Sequence, residues 1–210
     1  MRIREVISLV TLIIHCIVGQ SQDIFSLIEE LQASEPDILD QNALNNIDSY
    51  QSRARDAAAA ILQNPSADRV RNYYVLACIY YATNGVGNRI TDLTIPGSSI
   101  PEWLVDDWIT EDYCNWFGVN CNEEGNVIAI DLHENQLYGS WPNEVVLLKD
   151  HLVMIDLYNN YYLHSIEPIW LTKMSELLFL FFGTTAFEHN GVPTYLNGCK
   201  KLSKYLVCSG

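Results

Sequence analysis

The stretch CNWFGVNC, Cys114 to Cys121, puts two thiols around six residues that include Trp116 and Phe117. Paired cysteines of this kind serve three chemistries. Structural zinc sites space their cysteines about two to four residues apart and draw on a second ligand pair, and none lies nearby. Redox pairs use C-x-x-C. A disulfide staple fits best, and closing so short a loop stabilises by roughly 2.5 kcal/mol through chain entropy. The other chemistry-bearing group is His133, beside Asp131 and Glu134. A histidine next to carboxylates can bind a metal or act as a base. Alternation along a strand instead makes Asp131 and His133 exposed recognition residues or simply solvated ones. There is no nucleophile elbow, no H-E-x-x-H and no phosphate loop. The expectation is therefore no catalytic residue, no metal and no cofactor.

The surroundings narrow the class. The 210 residues are 49% hydrophobic, enough for a real core. With 26 acidic against 12 basic side chains, the formal net charge is −14. Nucleic acid and anionic membrane surfaces repel such a chain. At the N-terminus, Arg2 and Arg4 precede the mostly apolar run Val6 to Gly19, and small residues follow. That is the layout of a secretory signal peptide over 1–21, with an uncleaved signal anchor as the rival. A secreted or cell-surface protein keeps disulfides. With Cys16 removed, five cysteines remain, so at least one is free or pairs with another chain.

The C-terminal half repeats. Ile130/Leu132, Ile155/Leu157, Leu180/Phe182 and Tyr205/Val207 each follow the previous pair by 25 residues. Pro142, Pro168 and Pro193 keep nearly the same step. Asn135 and Asn160 lie three residues after Leu132 and Leu157, and Thr185 takes that place in the third unit. Apolar residues at i and i+2 of a short strand point into one core. The Asn can then bond backbone groups that the following turn leaves unpaired. Identical units stack as parallel strands, each burying the face its neighbour exposes.

These units resemble plant-type leucine-rich repeats, of pattern L-x-x-L-x-L-x-x-N-x-L-x-G-x-I-P. LHENQLYGSWP, Leu132 to Pro142, is a close match, and CNWFGVNC resembles the C-x-W-x-G-V-x-C segment of that family's N-terminal cap. YYVLACIYYATNG and DDWITEDYCNW resemble the cap's helix and tryptophan segment, and GTTAFEHNGVP is most similar to secreted or membrane-anchored repeat proteins of diatoms and related algae. The resemblance covers roughly residues 68–210. It implies an α/β solenoid, a horseshoe fragment of about three repeats with a helical, disulfide-stapled cap. It implies that Cys114 and Cys121 are linked, and that Trp116, Phe117 and Val119, with Trp108 nearby, cover Val127 to Leu132. It also implies that the concave face is the binding surface. That row is Ala129, Asp131, His133, Met154, Asp156, Tyr158, Phe179, Phe181 and Gly183, acidic at one end and aromatic at the other. Cys199 falls at a buried register position and Cys208 at an outward one, so the two are not expected to pair.

The remaining elements must position this face. Ser66 N-caps a helix from about Ala67 to Thr83, with Val70, Tyr73, Tyr74, Ala77, Cys78 and Tyr81 as its apolar stripe and Asn84-Gly85 as its stop. Cys78 reads as a buried free thiol. Residues 22–66 read as one or two marginal helices with flexible linkers. The organisation expected is a signal over 1–21, this segment over 22–66, a cap over 67–125, and repeats over 126–210 without a C-terminal cap. The functional expectation is a non-catalytic extracellular module that binds a protein or cell-wall polysaccharide through Asp131, His133, Asp156, Tyr158, Phe179 and Phe181. The alternative is a structural or adhesive surface protein that self-associates through an open repeat edge. The membrane would be reached only through an uncleaved anchor.

A non-reducing peptide map of protein recovered from medium should show Cys114 linked to Cys121, with a mature N-terminus near Gln20 to Asp23. Labelled thiols at both positions, with residues 1–19 retained, would sink the staple and the secretion reading together.

Overall fold

Strands that recur every 25 residues face one another in register. In the computed structural model, which describes residues 24–63, 65–85, 103–105, 107–166, 168–183 and 204–206, seven strands follow in chain order. They are β1 (Val119–Cys121), β2 (Val127–Asp131), β3 (Tyr138–Trp141), β4 (Met154–Asp156), β5 (Tyr162–Ile166), β6 (Phe179–Phe181) and β7 (Lys204–Leu206). One sheet has the order β1-β2-β4-β6-β7, and β3 pairs with β5 in a second. From β2 onward the large sheet is parallel: Ala129 opposes Met154, Met154 opposes Phe179, and Phe179 opposes Lys204. Ile130, Ile155 and Leu180 point inward and are fully buried, as are Leu132 and Leu157 two residues on.

The turns after these strands need partners for their backbone. Asn160, itself fully buried, supplies four. Its Nδ2 donates to the carbonyls of Leu132 (2.8 Å) and Leu157 (2.9 Å). Its Oδ1 accepts from the N–H groups of Asn135 (3.2 Å) and Leu137 (3.0 Å). One side chain thus ties two successive turns together. Asn135 acts at the edge instead, where its Oδ1 accepts from the Val105 N–H at 3.0 Å. Beyond the second sheet, 3-10 helices at Asn143–Leu148 and Pro168–Lys173 return the chain and bury Val145, Val146, Leu148, Trp170 and Leu171.

The edge of β2 is closed by β1, which pairs antiparallel to it, Val119 opposite Ile130. Cys114 and Cys121 form a disulfide with Cα atoms 5.6 Å apart. Trp116 is buried by the loop it closes, in edge contact with Tyr73 at 5.2 Å and beside Trp108 at 5.0 Å. Trp103 extends the cluster to Tyr80. Phe117 departs from expectation: it is 37% exposed and is not part of the buried core. Its backbone does the holding, the N–H donating to Asp107 Oδ1 (2.9 Å) and the carbonyl accepting from Trp108 Nε1 (3.0 Å). The reason lies in the next residue. Gly118 has φ +75°, and a Cβ there would meet the Asp131 carbonyl at 2.0 Å. The chain passes so close to β2 that the Phe117 ring is turned outward.

Helices complete the core. Residues 24–33 form α1, Tyr50–Ile61 form α2 and Ala67–Ala82 form α3. Ser66 Oγ accepts from the Arg69 N–H, capping α3. Val70, Tyr73, Tyr74, Ala77 and Cys78 are buried, and so are Val75, Leu76, Ile79 and Tyr80, so α3 is apolar nearly all round. Asn84, at φ +62°, ends it. Cys78 is a buried free thiol whose pKa burial pushes up.

Flexible linkers are not what residues 24–63 provide. Ile24, Ile28, Leu39, Leu44, Ala54, Ala58 and Leu62 join the same core. Glu35, nearly buried, bonds Lys149 and, at 2.6 Å, Lys173. The sequence hid this because the segment's apolar residues are sparse and broken by Pro36; only the opposing surface makes them a face. The signal segment and Thr185, Pro193, Cys199 and Cys208 lie outside the described residues. Among the described residues no helix is long and apolar enough to cross a membrane.

Replacing Asn160 with Ala strands two carbonyls and two N–H groups in the interior. Unfolding by denaturant should show a loss of about 3 kcal/mol. A loss under about 1 kcal/mol would mean that the turns find other partners.

Candidate functional site

Residues flanking the buried Ile130, Ile155 and Leu180 must point outward. Ala129, Met154 and Phe179 form one row across β2, β4 and β6, and Asp131, Asp156 and Phe181 form the next. All six are half-buried. Beyond the strand ends lie His133, exposed, and Tyr158, half-buried. Gly183, the next position in that series, is buried and serves through its carbonyl, which accepts from the Asn159 N–H at 3.0 Å. The pairing aligns six of the nine positions expected on this face, Ala129, Asp131, Met154, Asp156, Phe179 and Phe181.

The acidic end is a cluster. Asp131, His133 and Asp156 place their ligand atoms within 4.8 Å of one another. His133 Nδ1 lies 2.5 Å from Asp131 Oδ1. That bond raises the His133 pKa above its usual value; partial burial opposes it, and the charges of Asp131, Asp156 and Glu134 add to it. Burial raises the Asp156 pKa, the Tyr158 N–H (2.9 Å to Oδ1) counteracts this, and the Asp131 charge pushes it further up. Glu134, next to His133 in sequence, turns elsewhere and accepts from Asn159 Nδ2 at 2.8 Å. Asp156 is thus the partner that local sequence did not point to. The signal for it was the step of 25 residues from Asp131.

One imidazole and two carboxylates suit zinc or manganese as donors. Binding a metal would require His133 to give up its proton, which the neighbouring carboxylates oppose. What the site offers is fixed negative charge with a titrating rim. At the other end, the rings of Phe179 and Phe181 lie 6.4 Å apart and nearly parallel, at 10°.

Two other surfaces were not anticipated. An open cavity of about 500 Å³ lies between the start of α3 and the disulfide loop. Its polar groups bond one another: Arg69 to Glu111 (3.2 Å), and both Asn72 Nδ2 (3.1 Å) and Tyr113 OH (2.8 Å) to the Gly125 carbonyl. They fasten the loop to the helix. On the second sheet, Tyr138 contacts Tyr162 and His164, and Tyr161 and Tyr162 are exposed.

No protein-family model matches the chain. A stretch of 68 residues, 32% of the chain, is 34% identical to Receptor-like protein kinase 5 of Arabidopsis thaliana, of which it spans 6%. Among solved structures, the PEPR1–AtPEP1 complex aligns with 26% identity and a TM-score of 0.37, over 45% of this chain and 13% of that one. The BIR3–SERK2 complex from Arabidopsis thaliana aligns with 22% identity and a TM-score of 0.45, over 63% and 65%. The HAESA leucine-rich-repeat ectodomain with an IDA peptide hormone aligns with 21% identity and a TM-score of 0.34, over 45% and 20%.

The raised His133 pKa has a sign. Its contribution to stability is present in full below the unfolded value, about 6.5, and is lost as pH rises through the folded value. An NMR titration should place His133 above 6.5 in the intact protein, and D131N should lower it most, since the bond to Asp131 is the largest cause. An unmoved value in D131N would mean the contact does not persist in solution.

Proposed function

We propose that this chain is a non-catalytic extracellular recognition module of the plant-type leucine-rich-repeat kind, binding a protein or cell-wall glycan through the outward face of β2, β4 and β6. One observation carries the reading: Asp131, Asp156 and Phe181, and beside them Ala129, Met154 and Phe179, stand in register on a sheet face that no described element covers. Rigid rings on a flat strand array present contact area at little entropic cost. The 68-residue match to a receptor-like kinase supports the repeat reading of this chain. On the same reading, residues 67–125 act as an N-terminal cap, with the disulfide, Trp108 and Trp116 holding β1 over the first repeat. The disulfide supports a secreted or cell-surface location, since such bonds persist in oxidising compartments.

The test is a screen of the disulfide-intact protein on peptide and plant or algal glycan arrays, repeated with Phe181→Ala, Asp156→Ala and, as an off-face control, Ile47→Ser. Hits should weaken at least about tenfold in both face variants, since anchors in an interface centre carry most of its energy, and persist in the control. Hits indifferent to both face variants would move the binding surface elsewhere.

A further inference from the structure

We infer that the ligand segment this face accepts is cationic: an extended stretch of protein carrying arginine or lysine, one of whose side chains lies between Asp131 and Asp156 with its stem against Met154 and Phe181. The inference rests on the reading of the face as a binding surface and specifies the chemistry of what binds there.

The charge arrangement is the ground for it. Asp131 and Asp156 are direct register partners on adjacent parallel strands. Like charges in that relation repel, and a protein that keeps them there carries an unmet demand for positive charge. His133, bonded to Asp131 and close enough for its charge to act on Asp156, meets part of it while protonated. Glu134, at the rim, adds to the deficit although its oxygen is bonded to Asn159. No lysine or arginine occupies an outward position of β2, β4 or β6. Lys204 holds the register position beyond Phe179, on the far side from the acids.

The second observation is aromatic. Phe181 is the register neighbour of Asp156, and it stacks with Phe179. A guanidinium held by a carboxylate can lie over such a ring and gain from its quadrupole. Met154 is flanked by Ala129 and Phe179 in the adjoining row and offers an adaptable apolar floor for an aliphatic stem. Acid and ring at neighbouring positions discriminate for a cation with an apolar stem, and an acidic or purely neutral segment satisfies only one of the two. Polymers of the opposite kind, nucleic acids among them, are repelled by a net charge of −14.

Fluorescence anisotropy on the intact protein tests this with three labelled peptides of equal length, built from arginine and serine, lysine and serine, or glutamate and serine. The arginine peptide should bind, the lysine peptide more weakly, and the glutamate peptide not at all. D131N and D156N should each weaken arginine binding about tenfold, as loss of a charge-assisted contact does. F181L should weaken it a few-fold. D150N, at an exposed acid off the face, should leave it unchanged, and circular dichroism establishes that each variant folds. Equal loss in D150N would reduce the effect to net charge and overturn the proposal. If the arginine peptide fails while array hits remain sensitive to Phe181→Ala, the cationic inference falls and the binding face stands. If nothing bound is sensitive to the face, both fall. Zinc or manganese chloride alone, titrated calorimetrically, adds the last outcome: saturable binding abolished by D131N and D156N, without arginine binding, would make the cluster a metal site instead.

Discussion

Asn160 holds the interaction on which the rest depends. A parallel strand can neighbour the next only if the chain turns away beneath the surface, and that turn buries backbone groups far from water. The amide of one asparagine answers four of them, one from its own turn and three from the turn before. The strands before these turns therefore fall into register, and the same register creates the inward column Ile130, Ile155, Leu180 and the outward rows beside it. Core and face are two consequences of one alignment. A slip of a single residue would exchange them.

An array of this kind has edges, and an uncovered edge is a template for unwanted pairing. β1 closes the edge of β2, but three residues are too few to stay there unaided. The disulfide shortens the loop that delivers them, and Trp116 anchors that loop on Tyr73 of α3. The requirement for close approach falls on Gly118, and on Gly139, where φ is +118° and a Cβ would meet the Ala82 carbonyl at 2.4 Å. At these two points the chain passes against its neighbour too tightly for any side chain.

How much of this was legible follows from which signals are periodic. The 25-residue step gave away the strands, their register, the role of Asn160 and the composition of the outward rows, because each depends on spacing alone. The helix at Ala67–Ala82 was legible from its cap and stripe, although its burial on all sides was not: that depends on α1 and α2, whose contacts the sequence does not mark. Phe117 misled for a related reason. Hydrophobicity argued for burial, while the geometry imposed by Gly118 decided its direction. Asp156 was visible as a row member but not as a partner of His133, since chain proximity favoured Glu134, which the turn at φ +54° carries away.

Charge separates the two sides of the molecule. On the side where the N-terminal segment packs, acids are matched. Burial pushes the Glu35 carboxyl up, but the hydrogen bonds and charges of Lys149 and Lys173 outweigh it and hold its pKa below the ordinary range. Glu144 is buried outright, its pKa raised, and it accepts from Gln32 Nε2 (3.1 Å) and Tyr50 OH (2.9 Å). Gln32 and Tyr50 come from residues 24–63, so that segment satisfies the buried Glu144, while its own Glu35 is neutralised by Lys149 and Lys173. The outward face has no such arrangement. Asp131 and Asp156 stand side by side with one exposed histidine beside them. A fold that compensates two acids internally leaves two others as register partners on its outward strand face. Like charges directly opposed on adjacent strands cost stability, and the cationic ligand proposed above would return part of that cost on binding.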